Sequence, residues 1–260
     1  MRTDRKLAAA LLLALASAQA WAIQGSVKTA TDTVRGEIKW QSRSKSYQIS
    51  FKKGGANVDT EIPIGDVKRL DVEKPAELDR AIEAIRGGNA TSAIGLLEAI
   101  VKNYKMLVWD KPAGRYLVEA YLSAGQVQKG YDSAVKIISD DKSAGWKGEL
   151  APAYWQALLK LGKTQQLESM LKKAAESGDR SSAAAALVMR GDMILAAEGD
   201  ENPEACRKAL IDAYLRVALM FRDEECRDAR IDAMQKAANC LDKLGYASRA
   251  EEMRASARKI

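Results

Sequence analysis

The 260-residue chain has no histidine. That one absence removes Ser–His and Cys–His nucleophile activation and imidazole metal ligation together. Acid–base chemistry would have to come from carboxylates, which gather at Asp140-Asp141, Asp192, Asp200-Glu201 and Asp223-Glu224-Glu225. Two of these facing each other across a cleft could exchange protons with a substrate. Each also suits a structural duty at a turn or helix start, where an acid caps backbone N–H groups and opposes the dipole. The structural duty is the favoured one, so no catalytic residue is expected. No glycine-rich phosphate loop follows a strand pattern, and no cofactor is expected. Asn89-Ala90-Thr91 has the glycosylation acceptor pattern, but a tight turn accounts for the Asn.

The cysteines are Cys206, Cys226 and Cys240. They have no short Cys-x-x-Cys spacing, and without histidine they offer no metal site. Cys226 and Cys240 are fourteen residues apart on or beside one helix, about 21 Å, too far to bond. Cys206 sits early in the preceding antiparallel helix. Reflected through the turn near Asp223-Glu224 it lands close to position 241, so Cys206–Cys240 is the disulfide candidate.

The elements that must position these groups follow from the glycines. Gly88, Gly125, Gly162 and Gly199 are separated by 37 residues each time, the self-similarity of a helical solenoid. Each lies where one helix must end and the next begin, a place for the left-handed backbone that glycine adopts cheaply. Trp109 and Trp146 both precede their glycine by sixteen residues and read as wedges between repeats. Tyr121, Leu158 and Leu195 precede it by four. Ala93, Gly130 and Leu167 follow five later, and Leu97, Ala134 and Leu171 nine later.

First helices are expected at 114–124, 151–161, 182–197 and 228–244, from apolar residues at three- and four-residue steps. Second helices are expected at 91–101, 126–138, 164–175, 203–221 and 247–257. Gly245 follows Gly199 by 46 residues, which lengthens the fourth hairpin.

The Gly-Asn/Asp turn, the small residue five later and the large one before it resemble the tetratricopeptide repeat (TPR). Gly88-Asn89-Ala90-Thr91-Ser92-Ala93-Ile94 carries the likeness best, over about residues 76–260. The period, the missing Trp-Leu-Gly signature and the missing closing Pro depart from that family. The resemblance implies a TPR-like α-solenoid of about five helical hairpins whose concave face is lined by the first helix of each. In register, the exposed positions there are Arg115, Glu119, Gln156, Lys160, Met189, Met193, Gln235 and Asn239. Charge, amide and methionine together suit a peptide or partner helix. A plain solvated face, with the methionines in the core, is the structural alternative. The basic tail at 249–259 suits a solenoid cap, and self-association stays open because unfinished solenoid ends expose apolar surface.

Ahead of the helices the periodicity alternates. Val34, Gly36, Ile38 and Trp40 share one side, as do Tyr47, Ile49 and Phe51, with turn residues at Thr31-Asp32, 41–45 and Gly54-Gly55. Five strands in residues 23–73 resemble a small SH3- or Sm-like β-barrel, and Ile62-Pro63-Ile64-Gly65-Asp66-Val67 resembles the short turn before the closing strand of such barrels. Residues 1–22 read as a secretory signal peptide: basic Arg2, Arg5 and Lys6, an apolar run at 7–18, then Ala18-Gln19-Ala20 or Ala20-Trp21-Ala22 as the cleavage site. The apolar run is too short to span a membrane. Removing it takes the net charge from +6 to +4, as three basic residues and Asp4 leave.

Thin, dispersed positive charge is not a nucleic-acid footprint. The chain is thus expected to be mainly α, with domains at 1–22 (signal), 23–73 (β-barrel) and 74–260 (TPR-like repeats). The role expected is a non-catalytic periplasmic or secreted adaptor that binds a protein partner of the cell envelope. A cell-wall or carbohydrate binder is the alternative, and a carboxylate enzyme is the less favoured third reading.

Overall fold

The structure is a computed structural model that describes residues 23–260; the signal sequence read in residues 1–22 lies outside the described residues. The chain divides into two units, at Glu73 and Lys74.

The first unit is a five-stranded antiparallel sheet of β1 (Gln24–Lys28), β2 (Thr33–Gln41), β3 (Ser46–Lys53), β4 (Ala56–Pro63) and β5 (Arg69–Val72). Their spatial order is β4-β3-β2-β1-β5. Gly54 and Gly55 both have positive φ and make the two-residue turn between β3 and β4, whose twist matches the flanking strands. The expected short turn before the last strand is a single 3₁₀ turn, Ile64–Asp66. Ile38 pairs with Ile49 across β2 and β3, and with Val27 they are fully buried. Gly25 and Gly36 pair opposite each other. A Cβ would stand 2.5 Å from the Asp71 carbonyl oxygen at Gly25 and 2.3 Å from that of Ser50 at Gly36. Only glycine permits the neighbouring strands to approach that closely at these positions.

The second unit is five antiparallel helical hairpins. They are α1 (Ala76–Arg86) with α2 (Ala90–Asn103), α3 (Asp110–Ser123) with α4 (Val127–Asp140), and α5 (Leu150–Lys160) with α6 (Thr164–Glu176). Then α7 (Arg180–Glu198) pairs with α8 (Pro203–Ala209), which passes through a π turn (Leu210–Tyr214) into α9 (Leu215–Met220). Last come α10 (Arg227–Lys243) and α11 (Ala247–Arg258). α3 starts four residues before the expected 114, because Pro112 fits a first turn and the Asp110 carboxylate accepts the Met106 N–H at 2.8 Å. Asn89 caps α2 by accepting from the Ser92 N–H, the turn duty expected of it.

The turns explain the 37-residue spacing. At Gly88, Gly125, Gly162 and Gly245 the backbone is left-handed, with φ between 66° and 83°. After Gly125, the Gln126 N–H donates to the Tyr121 carbonyl at 2.8 Å and the Gly125 N–H to that of Leu122 at 3.2 Å. The same two bonds recur at the other three turns, satisfying carbonyls that each helix end would otherwise leave unpaired. Gly199 shares the spacing but not the geometry. Its φ of 92° is also positive, but its ψ of 132° lies outside the left-handed helical region and its N–H bonds only the Leu195 carbonyl, so a wider turn leads to Pro203.

The residues five and nine after Gly88, Gly125 and Gly162 pack the hairpins, whereas after Gly199 the same offsets fall on exposed Glu204 and Lys208. Ala93, Leu97, Ala134 and Leu167 are fully buried, and Leu171 is nearly so. A Cβ on Gly130 would lie 3.3 Å from the Tyr121 Cβ, which is why small residues favour this position where paired helices approach closely. Two core clusters run through the repeats, and α7 feeds both: Ala186 and Met189 join one, Ala184 and Val188 the other.

Gly125→Ala forces a β-carbon into left-handed backbone and should cost about 1–2 kcal/mol. Gly95→Ala, in the exposed middle of α2 with open space around it, should instead stabilise by roughly 0.5–1 kcal/mol. Urea unfolding midpoints of the two variants should therefore move in opposite directions.

Candidate functional site

The first helices of four hairpins, α3, α5, α7 and α10, line a cavity of about 570 Å³. Its floor is apolar: Trp155, fully buried and held by its indole N–H donating to the Gly145 carbonyl at 2.9 Å, with Ala151, Val188 and Met189 beside it. Polar groups stand over that floor in successive layers. On α3 the Arg115 Nε donates to Glu119 Oε1 at 2.9 Å, one helical turn away. Burial opposes the charge of the Arg115 guanidinium, yet Glu119 outweighs it and keeps the group charged above its usual range.

Asp192 ties the layers together. One carboxylate oxygen, Oδ2, accepts from the Gln156 amide of α5 at 2.8 Å and from Lys236 Nζ of α10 at 2.7 Å. The other, Oδ1, accepts from the Tyr214 hydroxyl at 2.8 Å. Lys236 also reaches Asp232 Oδ2 at 3.0 Å. Burial works against the charged lysine, but the Asp192 and Asp232 carboxylates prevail and raise it. Burial also lifts the Asp232 carboxyl; Lys236 pulls it down and Asp192 adds to the rise. Tyr214, buried beside Asp192, is held firmly as the phenol. It gets there through the π turn, whose extra residue in the helix is a common device at specialised sites. It also needs Gly191, where a Cβ would sit 2.4 Å from the Tyr214 ring.

Of the residues expected on this face, Arg115, Glu119, Gln156 and Met189 do line the cavity. Met189 is 3% exposed and serves as floor. Met193 packs against the core cluster, and Lys160 is exposed outside the cavity. Gln235 and Asn239 lie instead on a neighbouring depression with Arg254. The register carried from glycine to glycine requires equal hairpins. The longer fourth one breaks that condition, so α10 turns Asp228, Asp232 and Lys236 inward. Their i, i+4, i+8 spacing was the available sequence signal.

Asp192 also departs from its expected place at a turn: it lies within α7, away from either cap. Of the other acidic candidates, all but Glu225 are paired near helix ends, Glu224 with Arg227 at 3.8 Å. Asp140 pairs with Lys105 and Asp141 with Lys111, both at 3.0 Å. Asp200 and Glu201 share Lys243 at 2.8 and 2.9 Å, and Asp223 pairs with Arg180 at 2.6 Å. Among the described residues, no group of three or more Cys, Asp or Glu is arranged to hold a metal ion. The cysteines are free and buried, with Cys206 and Cys240 beside each other. Trp146, half-buried, packs on the core cluster with Lys173 Nζ 4.9 Å from its ring centroid, which agrees with a wedge between repeats.

The cavity carries surplus negative charge. Six carboxylates line it, from Glu119, Glu149, Asp192, Glu225, Asp228 and Asp232, against the two cations Arg115 and Lys236. Both cations are already paired inside the wall. Glu149, Glu225 and Asp228 line the cavity with no ion pair within 4 Å among the described residues.

No protein-family model matches the sequence, and no curated protein matches it. Among solved structures, the chain is similar to a "putative kinesin light chain" of Podosopora anserina with "nearly identical TPR-like repeats", in two crystal structures of that protein. Identity is 15% with a TM-score of 0.41, covering 71% of this chain and 92% of that one. It is also similar to MamA of AMB-1, at 17% identity and a TM-score of 0.35, covering 71% of this chain and 97% of that one. The architecture described above rests on this chain's own helices and turns.

Lys236→Met would leave Asp192 and Asp232 together without their cation and should cost about 2–4 kcal/mol, as for a partly buried pair stripped of one member. Asp192→Asn added to Lys236→Met should recover at least half of that loss. Urea unfolding of the two single variants and the double variant measures the coupling.

Proposed function

We propose that this chain is a non-catalytic scaffold whose helical-repeat cavity holds a positively charged segment of a protein partner. The observation that carries the reading is the surplus of acids over an apolar floor, with both lining cations consumed internally. A lysine or arginine side chain fits both features at once, laying its aliphatic stem along the partly exposed Pro152 and Ala185 of the lining and its charge toward Asp228 and Glu225. The volume lies in the range of sites that enclose a few side chains, and four helices contribute to it, so recognition would read a stretch of sequence and not one residue. Asp192 does not act as a proton donor or acceptor in this reading. Its oxygens are occupied by Gln156, Tyr214 and Lys236, and it serves to hold three helices in one geometry.

Two further parts of the reading rest on sequence. Export to the cell envelope is supported by the pattern in residues 1–22, and amino-terminal sequencing of chain recovered outside the cytoplasm should begin at Trp21 or Ile23. An uncleaved chain confined to the cytoplasm would remove that part. For the amino-terminal unit the reading is a small closed barrel, supported by the five-strand pattern of residues 23–73 and by the close approach of strands at Gly25 and Gly36.

Panning the full chain against a displayed library of random peptides tests the cavity. Enriched sequences should be rich in Lys and Arg, and their binding should weaken as salt rises. Asp228→Asn with Glu225→Gln should weaken them about tenfold or more, equivalent to about 1.4 kcal/mol. Lys160→Glu, outside the cavity, should change nothing. Enrichment of neutral or acidic peptides, or of none, would overturn the proposal.

A further inference from the structure

The second cavity that touches Asp192 has a floor of sulfur. About 340 Å³ in volume, it is lined by Cys206, Cys240, Tyr214, Lys236, Asn239 and Lys243 among others. Cys206 comes from the first turns of α8 and Cys240 from the last turns of α10, two helices that run side by side in one core cluster. Both sulfur-bearing residues line this one cavity wall and belong to the same core cluster, and the Cys206 Sγ donates to the Asp200 carbonyl at 3.2 Å. Both residues are almost wholly shielded, at 0% and 1% exposed, so reagents meet them through this cavity and not from open surface. Cys226 is buried elsewhere, at the foot of α10 among Asp179, Arg180 and Glu225.

We infer that Cys206 and Cys240 are a built redox pair that closes into a disulfide by exchange with a disulfide-bearing oxidant, without rearrangement of the helices. One thiol loses its proton and attacks a sulfur of the oxidant, whose other half leaves as a thiolate. The second thiol then loses its proton and attacks the cysteine sulfur of that mixed disulfide, expelling the remaining half. The chain gives up two electrons and two protons; the oxidant takes up both electrons and leaves as two thiols. Burial and the neighbouring Cys206 sulfur push the Cys240 thiol up to about 12, so Cys240 is a poor first nucleophile and acts second, closing the bond once Cys206 has been captured.

The bond would fix the wall of the site described above. Cys240 lies one helical turn beyond Lys236 on α10, and Cys206 lies eight residues before Tyr214 on the same continuous helix. Both Lys236 and Tyr214 grip Asp192. Oxidation therefore ties together the two elements that hold Asp192 in place, across a loop long enough for a substantial entropic gain.

The test uses the folded full chain, first reduced and freed of reductant, then exposed to oxidised glutathione, denatured and alkylated. Mass analysis should find one alkylated cysteine, and a peptide pair joining Cys206 to Cys240 that disappears on reduction. Cys226→Ala should give the same linked pair, whereas Cys240→Ala should give none. The oxidised chain should melt roughly 5–10 °C above the reduced one. Three alkylated cysteines after oxidation, a link that includes Cys226, glutathione retained on either cysteine, or a lower melting temperature when oxidised would each overturn the inference.

Discussion

The left-handed glycine turn is the constraint from which the helical unit follows. Helices of eleven to fourteen residues with one apolar stripe are marginal alone. They persist because each folds back at once on a mate that covers the stripe. At four of the five turns the same two backbone bonds close the helix end, so the exit direction of the next helix is set by local geometry. The small residue five positions later then lets the pair approach closely, as Gly130 does against Tyr121. Turn and contact belong to one device, repeated along the chain.

The fourth hairpin departs from that device, and the polar site lies where it departs. The turn at Gly199 has a ψ of 132° and is wider, α7 has grown to 19 residues, and its mate carries a π turn. The π turn and Gly191 together admit the Tyr214 ring against α7, and the ring's hydroxyl finds Asp192. A carboxylate in the middle of a helix, facing neighbouring helices, is costly unless its oxygens are satisfied. Here three donors from three separate elements satisfy them. That arrangement fixes how α5, α7 and α10 sit against one another, and it consumes Lys236 while doing so.

The charge left over gives the cavity its character. Ion pairs within the wall cancel Arg115 against Glu119 and share Lys236 between Asp192 and Asp232. Uncancelled acids cost little while solvent reaches them. Over the apolar floor they suit the partner proposed above, which would bring both positive charge and methylene groups. A purely polar partner would leave the floor wet, and a purely apolar one would leave the acids unpaired.

Hairpin number, helix boundaries to within a few residues, the strand pattern and the buried positions five and nine after Gly88, Gly125 and Gly162 were legible in the sequence. They depend on local rules: apolar period, caps, and the ability of glycine to adopt positive φ. The same reasoning placed Arg115, Glu119, Gln156 and Met189 on one face, because α3, α5 and α7 keep the 37-residue register. It failed for Lys160, Met193, Gln235 and Asn239, and it missed Asp232, Lys236 and Tyr214. It also set Asp192 at a turn when the residue lies within α7. The α10 positions among them depend on how that helix is rotated about its own axis. That rotation is decided by packing against α7 and α9, and Lys236 meets Asp192 across 44 residues of chain. Sequence by itself determined the repeat and its turns, because each is closed by bonds between neighbours. Only the tertiary structure decided which side chains of different hairpins meet, because that depends on the lengths and rotations of helices whose contacts are not local.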